Sequence, residues 1–499
     1  MTGRMPLIVV TLPARSAEDA RSQIAAARAG GADVAEVRLD RWAVSDLPHL
    51  GRLFPSALPL LATYRSRAEG GLGTAETPER ARLLLQFGSL PFRWIDLEYD
   101  RDLPLLPSLP PPEKLGRILS VHLGTAPPAE WARRIGLLTD AASGVGKLVV
   151  SASVLETFRE LIPRLPSPEE AALVVHTVGP SGPLLRVLSR RLGFPMVYAC
   201  LPEGTGPVPV EPSQIPVDRL RPFLAAEGLP PLFAVAGRPI GHSQSPSLHT
   251  RWMRAEGRVG IYLPLEFGSD DEFVQSLPHL ASSGFRGLNV THPFKSVAFE
   301  AATISGKGAD ACRATNCLTF RDGAIEGENT DLVAILRRLG ELRETGRWDG
   351  RSLGVVGAGG SARATLAAAR TLSAEAVVYA RRVESARALA EEFSATLGSA
   401  DAPRPLPLVV QATNVGREGS GALEVPLGRL LEKGSHVVDW VYDASDPAVR
   451  RTAEAAGATY EDGWRLLVYQ AAASYALWWG NDPEPAAFAD ALAEGGCTV

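Results

Sequence analysis

The sequence predicts an α/β protein in two parts: an eight-stranded (β/α)8 barrel, then a two-lobed α/β region bearing a dinucleotide-type glycine turn. Three observations predict this. The chain has 499 residues, more than one ordinary domain holds. Eight strand-like apolar runs, most separated by amphipathic helical patterns, precede about residue 222. The segment Ser352-Leu-Gly-Val-Val-Gly357-Ala358-Gly359-Gly360-Ser361-Ala362 runs a strand into a glycine turn and an Ala-rich helix.

The first-half strands are expected at Leu7–Thr11, Val34–Val37, Leu60–Thr63, Arg93–Leu97, Arg117–Val121, Lys147–Val150, Leu173–His176 and Pro195–Ala199. Helices at Ala17–Ala29, Pro78–Phe87 and Ala129–Ala141 place apolar residues at 3.6 spacing. This alternation suits a TIM barrel, with a doubly wound open sheet as the runner-up. Residues 104–114 are too proline-rich for a good helix, so the fourth unit is weak. The Pro- and Gly-rich run Pro202–Pro216, a short helix at Val217–Glu227 and Gly228-Leu-Pro-Pro231 mark a seam before a new strand at Leu232–Ala236. The expected domains are a barrel over 1–225, a substrate-binding lobe over 231–334 completed by 467–499, and an inserted nucleotide-binding lobe over 335–466.

Hydrophobic residues make up 45% and charged residues 21%, which excludes wholesale disorder. A net charge of -5 provides no global field for nucleic acid or an anionic membrane, so neither is an expected partner. Cys200, Cys312, Cys317 and Cys497 form neither a disulfide framework nor a paired CxxC site, and no metal is expected. The apolar run Leu7–Val10 is too short for a signal segment, and no run reaches the roughly 18–20 apolar residues of a membrane span. The expectation is a cytoplasmic enzyme, monomer or homodimer.

A barrel places its chemistry at strand C-termini. There the sequence has Glu36-Val-Arg38-Leu-Asp40, Thr63-Tyr-Arg65 with Glu69-Gly-Gly, Asp96-Leu-Glu98, Ser120-Val-His122 and Lys147. Singly, Arg38, Arg65 and Glu98 read as ion pairs at the barrel mouth, and Lys147 as a surface lysine at a strand start. Charges ending four or five successive strands are harder to read so, because buried charge requires a partner or ligand. A lysine on an apolar strand suits imine chemistry, since desolvation supplies the free amine. A histidine one strand away suits proton transfer, and arginines suit a carboxylate.

These segments, with Gly179-x-x-Gly182, Arg186 and Pro212-Ser-Gln214, resemble type I 3-dehydroquinate dehydratase over about residues 5–222. The resemblance implies that Lys147 forms an imine with the substrate ketone, that His122 moves the proton, and that Glu69 tunes His122. It implies substrate contacts from Glu36, Arg38, Arg65, Arg186 and Gln214. The chain departs from the pattern at Val210 and Leu185, where the family has serine, and at Leu123-Gly124, where it has Asp-Phe. Val210 bears on substrate binding and on closure of the 202–216 segment.

In the second half, the glycine turn offers helix N-terminal N–H groups to a pyrophosphate. A second strand, Glu375–Tyr379, ends in Ala380-Arg381-Arg382, with no acid for a ribose 2′-hydroxyl. Arginine suits a 2′-phosphate, so NADP is expected over NAD. Gly237-Arg-Pro-Ile-Gly-His242-Ser243-Gln-Ser245-Pro246, Asn289-Val-Thr291-His-Pro-Phe-Lys295, Asn316 and Asn329-Thr-Asp331 supply hydroxyls, amides and one Lys–Asp pair. Each has a helix-capping or incidental reading alone. Together they suit a polyhydroxylated ring.

With Ala412-Thr413-Asn414-Val-Gly416, Asp439-Trp-Val-Tyr442 and Asp462-Gly463 leading to Tyr469-Gln470, residues 231–499 resemble shikimate dehydrogenase. The resemblance implies substrate contacts from Ser243, Ser245, Asn289, Thr291, Asn316, Tyr442 and Gln470, and a catalytic pair Lys295 and Asp331. It implies cofactor contacts from Gly357, Ala358, Gly359, Gly360, Ser361, Ala362, Arg381, Arg382, Thr413, Asn414 and Gly463. Departures are Ala380-Arg381-Arg382 for Asn-Arg-Thr, Leu332 for Gly and Leu466 for Met. The joint expectation is a bifunctional enzyme that dehydrates 3-dehydroquinate to 3-dehydroshikimate and reduces that to shikimate with NADPH. Two alternatives stay open: a degenerate, metabolite-binding barrel that regulates an active dehydrogenase, and quinate oxidation as the working direction. The Ser243-x-Ser245 pair resembles the shikimate-specific pattern more closely.

Overall fold

The computed structural model describes residues 4–140, 144–399, 401–417, 423–444 and 447–494. Cys497 and Ala141 lie outside the described residues. The chain forms two compact units, one of residues 1–231 with 259–284, the other of 232–258 with 285–499.

The first unit holds β1 (Leu7–Leu12), β2 (Val34–Arg38), β3 (Leu60–Thr63), β4 (Trp94–Glu98), β5 (Gly116–Thr125), β6 (Val145–Ser151), β7 (Leu173–Val178) and β8 (Met196–Ala199). They pair in the order β7-β6-β5-β4-β3-β2-β1-β8, all parallel. This is the expected barrel rather than a doubly wound sheet, which would reverse its strand order. One apolar layer draws on every strand: Val9, Val34, Leu61, Trp94, Ile118, Val145, Val174 and Met196. Side chains on a strand alternate faces, so the residues two farther along point inward too. Those are Thr11, Glu36, Thr63, Asp96, Ser120, Lys147, His176 and Tyr198, and all are buried. The layer is polar and sits one step nearer the C-terminal ends. Strand β6 begins at Val145, so Lys147 stands inside the strand and not at its start.

The outer helices begin with Ala17–Ala29. Ser16 Oγ accepts the N–H of Asp19 at its start. Further helices cover Thr77–Gly88 and Pro128–Asp140. The weak fourth unit is one helical turn, Tyr99–Asp102, continued as 3-10 helix over Leu103–Ser108, where Pro104 and Pro107 lack the N–H groups an α-helix needs.

The remaining strands are β9 (Leu232–Gly237), β10 (Ile261–Glu266, in the first unit), β11 (Phe285–Val290), β12 (Ile304–Ser305), β13 (Cys317–Arg321), β14 (Ala324–Glu328), β15 (Ser352–Val356), β16 (Glu375–Tyr379), β17 (Thr396–Leu397), β18 (Leu408–Gln411), β19 (His436–Asp439) and β20 (Thr459–Glu461). Within the second unit, one sheet runs β9-β11-β13-β14-β12 with mixed directions. The other runs β17-β16-β15-β18-β19-β20, all parallel. That order reverses between β15 and β18, the crevice where doubly wound sheets hold nucleotides. The helices Thr330–Glu344, Gly360–Thr371 and Trp464–Trp479 share one apolar core with β15 and β18. No described helix is long and apolar enough to cross a membrane.

Candidate functional site

The first cluster fills the C-terminal half of the barrel. Lys147 is 5% exposed. Its Nζ lies 3.3 Å from Asp96 Oδ2, 3.9 Å from Glu36 Oε1 and 3.9 Å from the centroid of the Tyr198 ring. Burial lowers its ammonium from the ordinary lysine value, against the opposing pull of Asp96 and Glu36. Glu36 is fixed by two hydroxyls, Thr11 Oγ1 at 2.6 Å and Thr63 Oγ1 at 2.8 Å. Gln214 Nε2 donates to Thr11 Oγ1 at 2.9 Å, which brings the end of the 202–216 segment over this wall.

Arg65 is the hub of the neighbouring wall. It reaches Asp96 at 2.7 Å, Glu69 at 2.8 Å, Ser120 Oγ at 2.8 Å and Glu98 at 3.5 Å. Burial would lower its guanidinium, but these carboxylates hold it above the ordinary arginine value. Burial raises the Asp96 carboxyl; Arg65 and Lys147 outweigh it and bring Asp96 down to about 2. Glu98 also accepts the backbone N–H and hydroxyl of Ser66, which fixes the turn leading to Glu69. Arg80 backs this wall with a bidentate pair to Asp102.

His122 Nδ1 lies 2.9 Å from Glu69 Oε2. Burial, reinforced by the Arg65 and Lys147 charges, holds the imidazole well below its ordinary value, so the ring is neutral. Burial likewise pushes the Glu69 carboxyl up to about 8, against the Arg65 charge. Arg38 is held by a bidentate pair to Asp40, both bonds 2.8 Å. Arg186 stands apart. It is 2% exposed and donates to the carbonyls of Thr177 and Gly182. No salt bridge to it forms among the described residues, and burial brings it down to about 10.

The barrel therefore joins Lys147, Glu36, Arg65, Glu69, His122 and Gln214 through direct contacts, with Arg38 beside them and Arg186 outside the contact chain. The sequence motifs left Thr11, Thr63, His176 and Tyr198 unassigned. The signal that finds them is the two-residue step from the apolar layer.

The second cluster lines a cavity of about 500 Å³ in the second unit, at the β15–β18 crevice. Lys295, the first residue of the helix Lys295–Ala301, places Nζ 2.5 Å from Asp331 Oδ2. Asp331 sits in the first turn of its helix, where the N-terminal dipole favours an anion, and its Oδ1 accepts from Asn316 Nδ2 at 2.9 Å. Asn316 Oδ1 accepts the N–H of Thr330 at 2.6 Å. Asn289 Nδ2 donates to Ser474 Oγ at 2.8 Å, and Ser474 Oγ lies 3.0 Å from Thr330 Oγ1. Ser243, Ser245, Thr291, Tyr442 and Gln470 complete the wall. Ser243 hydrogen-bonds Tyr442, whose phenol burial raises. Asp439 escaped assignment. It accepts the N–H of Val441 at 2.9 Å and so fixes the segment that presents Trp440 and Tyr442; burial pushes its carboxyl up to about 7.

On the facing side, Gly357 has φ +132°, and a Cβ there would lie 2.7 Å from the carbonyl oxygen of Ala412. A Cβ on Gly360 would lie 2.6 Å from Lys295 Cδ, and Lys295 Nζ is 3.5 Å from Ser361 Oγ. Gly463 admits no Cβ either, with the carbonyl oxygen of Trp440 2.3 Å from it. Ala358, Gly359, Arg381, Arg382, Thr413 and Asn414 line the cavity. Arg381 is solvent-facing, 3.7 Å from Glu424. The side chain of Ala362 is fully buried in the apolar core behind the turn, so it is the backbone of this residue, in the first turn of the helix Gly360–Thr371, that could serve a cofactor. The bare turn, the helix N-terminus and a solvent-facing arginine after the second strand fit a dinucleotide with a 2′-phosphate. Among the described residues, no cluster of three His, Cys, Asp or Glu side chains forms a metal site.

Fold and sites together define a barrel with a buried lysine centre, joined to an α/β unit of dinucleotide-binding form. Residues 8–229 match the family model of type I 3-dehydroquinase, and residues 235–318 match that of the shikimate dehydrogenase substrate binding domain. Shikimate dehydrogenase (NADP(+)) of Ruegeria sp. is 35% identical over 269 residues, covering 51% of this chain and 94% of that protein. The Thermus thermophilus shikimate 5-dehydrogenase in complex with NADP(H) and shikimate is 30% identical, covering 53% of this chain and 99% of that one, with a TM-score of 0.47. Dehydroquinate dehydratase and shikimate dehydrogenase from S. pombe is 22% identical, covering 98% of both chains, with a TM-score of 0.42. The chain belongs to the shikimate dehydrogenase family and carries a type I 3-dehydroquinase region ahead of it.

Proposed function

We propose that the barrel dehydrates 3-dehydroquinate to 3-dehydroshikimate and that the second unit reduces this ketone to shikimate with NADPH. The observation that carries the first step is Lys147, buried beside two carboxylates with a neutral His122–Glu69 pair on the neighbouring wall. The free amine attacks the substrate ketone, and water leaves as the imine forms. Asp96 and Glu36 support the positive charge of the protonated imine. That charge acidifies the adjacent C–H, whose proton passes to His122 Nε2. The Nδ1 contact to Glu69 makes this work in both directions. With Nδ1–H donating to the carboxylate, Nε2 is an acceptor; with the proton on Glu69, Nε2 is the donor. The ring then returns a proton to the departing hydroxyl, a second water leaves, and hydrolysis of the imine frees Lys147. Arg186, buried with no carboxylate partner among the described residues, is the group suited to the substrate carboxylate.

In the second unit, Gly357–Ser361 and the following helix N-terminus would hold the pyrophosphate, and Arg381 with Arg382 the 2′-phosphate. When bound, NADPH would supply the hydride for the ketone carbon. Lys295 gives the proton to the ketone oxygen, with Asp331 fixing its ammonium at 2.5 Å. Asn289, Asn316, Ser243, Ser245 and Gln470 orient the ring hydroxyls. We place both reactions in the cytoplasm, a reading supported by Cys200, Cys312 and Cys317, which are buried and unpaired among the described residues.

The test is a coupled assay on the full chain with 3-dehydroquinate and NADPH. Loss of NADPH requires both centres. If it fails while 3-dehydroshikimate is reduced, the barrel is the degenerate, metabolite-binding domain that Val210 and Leu123-Gly124 favour.

A further inference from the structure

The strand ladder of the barrel ends at β7 on one side and β8 on the other. Across this seam a side chain stands in for a rung: His176 Nε2, on β7, accepts the backbone N–H of Tyr198, on β8, at 3.2 Å. The two rings meet edge to face, centroids 5.7 Å apart at 81°. Both residues are buried. So held, the Tyr198 ring turns its face to Lys147, with Nζ 3.9 Å from the centroid. The phenol oxygen has no hydrogen-bond partner among the described residues, so the hydroxyl is not what ties the residue in place.

Resting on the imine reading of Lys147, we infer that Tyr198 is a positioning residue for that step, its ring face carrying the positive charge that Lys147 bears as ammonium and keeps as protonated imine. A ring face is suited to this place. It attracts a cation through its quadrupole, yet stays neutral and takes no proton from the imine nitrogen. A third carboxylate beside Asp96 and Glu36 would instead drive the lysine back to its ordinary value and remove the free amine. The charged groups acting on Lys147 are Asp96 and Glu36, which favour the cation, and Arg65 and Arg38, which oppose it. The ring adds to the first pair.

The test uses full-length Tyr198→Phe and Tyr198→Met, the second filling the volume without a π face. Two quantities are read: borohydride-trapped adduct on Lys147 with 3-dehydroquinate, and the pH midpoint for modification of Lys147 by trinitrobenzenesulfonate without substrate. Tyr198→Phe should match the parent in both. Tyr198→Met should trap about tenfold less adduct, the range of a desolvated cation–π contact, while its midpoint moves down. An unfolded barrel would move the midpoint up toward that of an ordinary lysine, so misfolding gives the opposite sign and counts against the inference. Parent-like behaviour of Tyr198→Met, or equal losses in both variants, overturns it. No adduct on the parent overturns the imine reading and this inference with it.

Discussion

Replacing Lys295 by Ala separates the chemistry of the second cavity from its stability. The variant removes the group 2.5 Å from Asp331 Oδ2 and leaves that oxygen buried, with Asn316 still serving Oδ1. Breaking a buried ion pair from one side costs about 3–5 kcal/mol. The lysine side chain is 14% exposed, and Asp331 sits at a helix N-terminus, so the lower end applies, about 3 kcal/mol. A domain stable by roughly 5–15 kcal/mol remains folded. Turnover should fall at least a hundredfold, which corresponds to roughly 2.7 kcal/mol in the barrier. Combining Lys295→Ala with Asp331→Asn removes the orphaned charge and should restore on the order of 2 kcal/mol of stability without restoring turnover. The assays are NADPH consumption with 3-dehydroshikimate and urea unfolding of the parent, both single variants and the double variant. Parent-like turnover in Lys295→Ala would refute the role given to the lysine. A double variant no more stable than Lys295→Ala would refute the coupling.

Three further variants have expected outcomes. Asp96→Asn removes an anion 3.3 Å from Lys147, so the midpoint of the ascending pH limb of dehydration, already below the ordinary lysine value, should move lower. Asp96 itself lies at about 2 against an ordinary 3.8. A carboxyl depressed on folding stabilises above the higher value and loses that contribution as pH falls toward the lower, so the same variant should lack on the order of 2 kcal/mol of acid-sensitive stability in that window, read by thermal unfolding between pH 5 and pH 2. Gly360→Ala sets a Cβ 2.6 Å from Lys295 Cδ; moving the lysine aside should lower kcat about tenfold with little change in melting temperature, whereas an unchanged kcat would mean that the side chain yields freely. Arg381→Ala should raise KM for NADPH about tenfold and leave KM for NADH unchanged, as expected when a solvent-facing arginine meets only the 2′-phosphate.

Much of this was legible because the chemistry follows the period of the strands. An apolar residue, then a polar one two positions later, recurs from Val9 and Thr11 through Val145 and Lys147, and that pattern needs only alternation to read. The Rossmann half was legible for a similar reason: a strand, a glycine turn and a helix are local. What escaped was non-local. The Arg80–Asp102 pair and the Ser474 contact to Asn289 join residues far apart in sequence through packing. Tyr198 looked like one more apolar strand residue, since nothing in its own strand shows that a lysine on β6 stands over its ring. At Ala362 the turn motif and the helical periodicity act together: the side chain packs in the core while the backbone stands in the first helical turn.

The missing Cβ of Gly360 has a last consequence. Lys295 and Gly360 belong to parts of the second unit built around different sheets, and they touch where the helix after the nucleotide turn begins. An opening that parts the two sheets there would draw the lysine stem off the glycine and Nζ away from Ser361. The accessibility of one ε-amine to a small acylating reagent is thus a gauge of how far the cavity stands open, readable in the native chain without an attached probe.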